Sequence, residues 1–371
     1  MTWTSHLRPA LAGLDIYDSP QVAARARLHA NECPEPWPAE VMAELARRVE
    51  SVELGRYPDA SGRSLRHLLA RQHGCDPDAI VLGNGSDEVI SLLLTALAGR
   101  TSEPSFMVIP SPTFVMYGHS ARCLGVGVLE VPLTEQLELD EAVMNEALGV
   151  ANGAAICFLA RPNNPTSSLW DAAVIERLIA GNPGTMFVLD EAYVRYSPGA
   201  SLWRQDLPGN VTYMSTLSKV GLAALRVGYC IAPPALARAA NVVRHPYNLS
   251  TTSLLLAESI LRDFPEVQAA MIARSIANRD RLVALLARIP GAHVFPAHAN
   301  IALVRLDPPQ YASRLASALA ARGVLVKDAS SLPRLAGCLR VSVGTTAELD
   351  ILAAALAELV PNLGPDPSQA T

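Results

Sequence analysis

The sequence predicts an α/β fold whose larger part holds a mostly parallel sheet and whose smaller part is α+β. Three observations carry this. From about residue 80, short apolar runs alternate with longer helical segments; each run closes in small or polar residues; and after residue 250 the texture changes to a long helical stretch from about Pro265 to Arg288. The chain has 371 residues, half of them hydrophobic and 18% charged, enough to bury a large core divided between two lobes.

In chain order, residues 1–40 are broken by prolines (CPEPWP) and read as an arm associated with the small domain. Residues 41–255 read as the large domain. Its strands are expected at Ile80–Leu82, Phe106–Ile109, Gly125–Val131, Ala154–Leu159, Thr185–Leu189, Val211–Ser215 and Val227–Ile231. Helices are expected between them, among others at Asp87–Ala98, Leu139–Ala147 and Asp171–Ile179. Residues 256–371 read as the small domain, with strands near Ile301–Leu306 and Cys338–Val343, and the tail after Leu363 reads as frayed.

The formal net charge is −5 and the 30 basic residues are scattered, which argues against nucleic acid and for a small-molecule partner. Cys33, Cys75, Cys123, Cys157, Cys230 and Cys338 stand far apart without a C-x-x-C pair, so neither a disulfide framework nor a metal site is expected. No stretch approaches the ~20 apolar residues that span a bilayer, and the first residues lack an export signal. A cytoplasmic location follows as an expectation.

Ligands of open α/β sheets gather at the carboxyl ends of the strands, so the polar residues that follow each run are the candidates. Gly83–Val89 (GNGSDEV) opens a helix after an apolar run. Its amides and the helix dipole could seat an anion at Ser86 and Asp87, although such a turn also occurs with no ligand. Arg161–Ser167 (RPNNPTS) directly follows the strand expected at Ala154–Leu159, where Asn164 could project its amide toward an aromatic hydroxyl oxygen or simply punctuate a loop. In FVLDEAY, Asp190 closes a buried strand and needs a partner, whether a protonated pyridine nitrogen, a metal or an arginine, because an unpaired buried charge is costly. Lys219 follows a strand among Ser, Gly, Leu and Ala, where a solvated ammonium gains little and a desolvated Schiff-base amine is the alternative.

RYPD (Arg56–Asp59), GNGSDEVI, PTFVMY (Pro112–Tyr117), PNNPT, DEAY, TLSK and LRVSVGT (Leu339–Thr345) stand in the order found in the histidinol-phosphate aminotransferases, and over roughly residues 17–345 the chain resembles that family. The resemblance implies a fold-type I transferase that uses pyridoxal 5′-phosphate (PLP), with catalytic residues Lys219, Asp190 and Tyr193. Lys219 would hold the cofactor and then shuttle the proton at the substrate Cα. Asp190 would pair with the pyridine N–H, Tyr193 and Asn164 would bind the phenolic oxygen, and Tyr117 would stack on the ring. The cofactor phosphate would meet Ser86, Asp87, Thr216, Ser218 and Arg226. Tyr57 would reach it from a neighbouring subunit, which implies a homodimer with shared sites. Arg340 would anchor the anion of the amino donor or of the 2-oxo acid acceptor, with Lys327, Tyr17 and Asn31 as further substrate positions.

The implied reaction is transfer from L-histidinol phosphate to 2-oxoglutarate in histidine biosynthesis. An aromatic or other amino-acid aminotransferase, or a threonine-phosphate decarboxylase, would keep the same cofactor residues. Three departures stand out. Lys219 and Arg226 lie seven apart where relatives have eight; Arg161 and Ser167 replace an asparagine and a glycine; and Lys327 stands where a second arginine is expected.

Overall fold

The computed structural model describes residues 2–11, 14, 23–97, 105–151 and 155–363, so Tyr17, Ala98, Ala154 and the tail after Leu363 lie outside the described residues. The strands among these are β1 (Ala26–Leu28), β2 (Ile80–Asn84), β3 (Phe106–Ser111), β4 (Gly127–Pro132), β5 (Ala155–Ala160), β6 (Met186–Asp190), β7 (Val211–Thr216), β8 (Val227–Ile231), β9 (His293–Val294), β10 (Ile301–Arg305), β11 (Val324–Asp328) and β12 (Cys338–Ser342). The α-helices are α1 (Ala39–Val49), α2 (Arg63–His73), α3 (Gly85–Leu97), α4 (Val115–Leu124), α5 (Glu141–Val150), α6 (Ala172–Gly181), α7 (Pro234–Val243), α8 (Thr251–Asp263), α9 (Pro265–Leu286), α10 (Gln310–Ala320) and α11 (Thr346–Leu363).

Seven strands form the large sheet in the order β2-β8-β7-β6-β5-β3-β4. β7, β6, β5, β3 and β4 are mutually parallel, and β8 runs against both of its neighbours. Side-chain alternation along the central strands explains why their sequences read as continuous apolar runs. In β5, Ile156, Phe158 and Ala160 enter the core shared with α3, α4 and α7, whereas Cys157 and Leu159 enter the core under α5 and α6. Full burial of a side chain such as Phe158 contributes about 1.5–3 kcal/mol.

This topology fixes one functional edge. The carboxyl ends of β2, β5, β6 and β7 share it, and because β8 is reversed its amino end, just after Arg226, lies there too. Sequence expectation and structure differ by a residue or two at several ends, for local reasons. The strand expected from Gly125 starts at Gly127, because Gly125 takes the left-handed region (φ 77°) to close α4.

The second sheet has the order β1-β11-β12-β10-β9 and is covered by α9, α10 and α11, with Leu28, Leu282, Leu315, Val341 and Leu352 in its core. The division expected at residues 255/256 is corrected by the structure, since it would cut α8 in the middle. Leu254 and Ile260, on either side of that point, both pack into the large-sheet core with Leu65 and Leu69 of α2. The continuous helix α9 makes the passage instead: Ile272 belongs to the large-sheet core and Leu282 and Leu286 to the small one.

Candidate active site

At the shared edge β2 passes into α3 without a loop. Gly85 (φ 77°) turns the chain, and its amide donates to the Arg226 carbonyl at 2.7 Å. A Cβ on Gly228 would sit 2.4 Å from the Ser86 amide nitrogen, so glycine there lets β8 lie directly beneath the start of the helix. The first α3 amides, at Ser86 and Asp87, lack intrahelical acceptors and combine with the positive end of the helix dipole.

Thr216 and Ser218 reach the same place from the end of β7, their hydroxyls 3.0 Å apart. Arg226 donates to Ser218 Oγ at 3.5 Å and pairs with Asp87 at 3.1 Å. The seven-residue spacing from Lys219 is met by two short 3-10 turns, Ser218–Val220 and Ala223–Leu225, with Gly221 (φ 93°) between them and Arg226 itself in the left-handed region (φ 52°). Helix amides, two hydroxyls and one guanidinium make a cradle suited to a phosphate dianion.

Beside the cradle lies a small cavity lined by Ser86, Phe114, Tyr117, Ala160, Asn164, Asp190, Ala192, Tyr193 and Lys219. Asp190 is buried at the end of β6, where it accepts from the Ala192 amide at 3.0 Å and from the Tyr117 hydroxyl at 2.5 Å. Burial pushes its carboxyl up to about 6, against the opposing pull of the Tyr117 hydrogen bond. Near neutral pH it is therefore a buried anion held by two neutral donors, and a cationic N–H arriving from the cavity would complete its pairing. Lys219 Nζ lies 5.7 Å from the centre of the Tyr193 ring.

A polar network closes the other side. Asn31, buried and in the left-handed region (φ 55°), donates to Tyr193 Oη at 3.2 Å and to Asn164 Oδ1 at 3.3 Å. Arg340 on β12 donates to the same Asn164 oxygen at 2.9 Å and to the His29 carbonyl at 2.5 Å. Ser342 ties Asn31 to β12 by donating to its side-chain oxygen at 2.9 Å while accepting from its amide at the same distance. The small sheet therefore reaches the cavity through one arginine and one asparagine.

A model of the class I and II aminotransferases matches residues 26–356. The chain belongs to that family. Among relatives of this aminotransferase, the histidinol-phosphate aminotransferase of Methylibium petroleiphilum is 43% identical over 89% of this chain and 88% of its own length. That of Acidovorax ebreus is 40% identical over 94% and 97%. The structure of histidinol-phosphate aminotransferase from Sinorhizobium meliloti in complex with pyridoxal 5′-phosphate superposes with a TM-score of 0.84, at 26% identity over 97% of this chain and 99% of that one.

Within the aminotransferase fold, the structure gathers Lys219, Asp190, Tyr193, Asn164 and Ser86 around one cavity and joins Thr216, Ser218, Arg226 and Asp87 in one hydrogen-bonded chain next to Ser86. Tyr57 stands apart on the surface, 82% exposed, with its ring stacked on Tyr247 at 4.7 Å. Tyr117 requires a correction. It is fully buried, with one face of its ring stacked on Phe158 at 4.7 Å and its hydroxyl on Asp190, so it borders the cavity chiefly by orienting that carboxylate. Phe114 lines the cavity beside it, edge-on to Tyr117 at 5.4 Å, and the signal for it was an aromatic directly after the Pro112-Thr113 corner that ends β3.

The two loop departures are also accounted for. Arg161 turns away from the cavity to bond the carbonyls of Trp170 (2.7 Å) and Ala200. Asn163 holds the loop in shape, accepting from Thr113 at 2.7 Å and donating to the Pro112 carbonyl at 3.0 Å. Ser167 does occupy the left-handed region (φ 61°), and its hydroxyl oxygen accepts from the amides of His298 (2.9 Å) and Ala299 (2.8 Å), joining the loop to the approach of β10. Ser167→Ala keeps the backbone strain and removes both bonds, so it is expected to lower stability by about 1–3 kcal/mol in urea unfolding. Ser167→Gly relieves the strain and should cost less; a more stable alanine variant would show that the hydroxyl does not bind the segments together.

Proposed function

We propose that this aminotransferase is PLP-dependent and moves the amino group of L-histidinol phosphate to 2-oxoglutarate, giving imidazole-acetol phosphate and L-glutamate. The observation that supports this most strongly is the convergence on one cavity of a lysine, a buried carboxylate without a cationic partner and a phosphate cradle, in a chain about 40% identical to histidinol-phosphate aminotransferases over nearly its whole length. The cofactor fits the residues present: its phosphate would lie at Ser86, Asp87, Thr216, Ser218 and Arg226, its pyridine N–H against Asp190, its phenolic oxygen toward Tyr193 and Asn164, and its ring against Phe114. When bound, PLP supplies an electron sink for the substrate Cα–H bond and a carbon on which the amino group is stored.

The chain's own residues do the rest. Lys219 Nζ would anchor the cofactor and, when free of it, move the proton at the substrate Cα. Asp190, held in orientation by Tyr117 and the Ala192 amide, keeps the ring nitrogen protonated. Arg340 binds the substrate anion from the small sheet, with Lys327 and Asn31 beside it, and Tyr17 is proposed as a further substrate contact.

We also propose a homodimer in the cytoplasm, in which Tyr57 completes the neighbour's phosphate site. The exposed Tyr57, stacked on Tyr247, is consistent with that surface. Among the described residues no helix is long and apolar enough to cross a membrane. A panel of amino donors tests the substrate: glutamate formation from 2-oxoglutarate should be fastest with L-histidinol phosphate, with no CO2 released from threonine phosphate. Comparable kcat/KM with phenylalanine would remove the narrow assignment.

A further inference from the structure

The backbone of Lys219 belongs to neither a strand nor an α-helix. Its path to Arg226 is built from two 3-10 turns, whose hydrogen bonds are poorer than those of an α-helix, joined at Gly221 in the left-handed region. The amides of Val220 and Leu222 both turn back to the Leu217 carbonyl at 3.2 Å. The three carbonyls that follow, at Lys219, Val220 and Gly221, are each met by a side chain from outside the turn. Lys219 accepts from the Tyr196 hydroxyl at 2.5 Å, Val220 from the Gln268 side-chain amide at 2.9 Å, and Gly221 from the Trp37 indole at 2.9 Å.

The donors come from three separate segments. Tyr196 closes the short turn after β6, Gln268 is buried in the first turns of α9, and Trp37 stands just before α1. α9 secures two of them, because Arg279, about three turns beyond Gln268, donates to the Tyr196 carbonyl at 2.9 Å. The fit is close: a Cβ on Gly221 would sit 3.3 Å from Met271 Cε and 3.4 Å from Trp37 Nε1. Since the peptide group is planar, a held carbonyl fixes ψ of its own residue and φ of the next. Tyr196 thereby sets ψ of Lys219, and Gln268 and Trp37 hold the two planes beyond it. The long lysine side chain magnifies any backbone rotation at Nζ, and a displacement of about 1 Å at a reacting atom can cost about 10²-fold in rate.

We propose that Tyr196, Gln268 and Trp37 are positioning residues for transamination, a three-point clamp on consecutive carbonyls that aims Lys219 at the cofactor and at the substrate Cα. This deepens, and rests on, the reading of Lys219 as the cofactor's anchor. None of the three is among the residues that line the cavity, so they act through the lysine's backbone and not on the reacting atoms. Gln268 is the strongest member. Its bond is buried, and a lost donor leaves the Val220 carbonyl with no water to replace it. The Trp37 indole is half-buried, so water stands in for part of its bond.

The test uses holoenzyme of Gln268→Met, which keeps the side chain's length and removes its donor, beside Trp37→Phe and Ile175→Val. The last variant loosens the core under α6, away from the turn. Two quantities are read: the visible circular dichroism of the bound cofactor per unit absorbance, which reports how the ring is held, and the single-turnover rate with saturating L-glutamate. Gln268→Met should lower the ellipticity and slow the turnover about 10-fold, with half-saturation by glutamate within about twofold of the parent. Trp37→Phe should move both in the same direction by less, and it carries the test if Gln268→Met does not fold. Ile175→Val should move neither. A parent-like ellipticity or rate in Gln268→Met, or the same losses in Ile175→Val, would overturn the clamp. A visible band that survives Lys219→Ala would instead sink the reading of Lys219 on which the clamp rests.

Discussion

Lys219→Ala is expected to abolish transamination and to remove the visible absorbance band of the bound cofactor, leaving a folded protein. Loss of a positioned general base alone costs about 10²–10⁴-fold, and loss of the covalent anchor adds to it. The effect should be specific, because Lys219 lies in a loop whose fold is held by others: Tyr196 donates to the Lys219 carbonyl at 2.5 Å and Gln268 to the Val220 carbonyl at 2.9 Å. Circular dichroism and thermal unfolding of the variant should therefore match the parent. A variant that keeps the absorbance band would show that another amine holds the cofactor.

Asp190→Asn should give the second largest loss. The amide keeps shape and volume but carries no charge to hold a protonated ring nitrogen, and removing one partner of a buried pair costs about 3–5 kcal/mol. At about 1.36 kcal/mol per tenfold, kcat should fall by roughly 10²–10⁴. Cofactor retention should suffer less, because the phosphate cradle at α3, Thr216, Ser218 and Arg226 is untouched. A variant within tenfold of the parent kcat would mean that Asp190 does not govern the ring nitrogen.

The strands of the large sheet were legible along the chain because β5 to β8 are buried on both faces and bounded by residues that end strands, and with them came the edge on which Asp190, Lys219 and Asn164 sit. What escaped the sequence depends on contacts between distant segments. The three-residue β1 is too short to show a period and exists because β11 pairs with it, so the bonds that Asn31, just after it, makes to Tyr193 and Asn164 could not be read before the fold was known. Tyr117 and Phe114 both border the cavity, and only the packing of the Tyr117 ring against Phe158 shows that one of its faces is already taken. The hydroxyl of Ser167 looked like a cost in a glycine position; its two amide donors lie more than a hundred residues away.

The central claim is that one particular lysine carries the cofactor, and the composition makes it unusually easy to test, since Lys219 and Lys327 are the chain's only lysines. Borohydride reduction of the holoenzyme followed by peptide mass mapping should place the reduced pyridoxyl group on Lys219 alone. Finding it on Lys327, or on neither, would contradict the account.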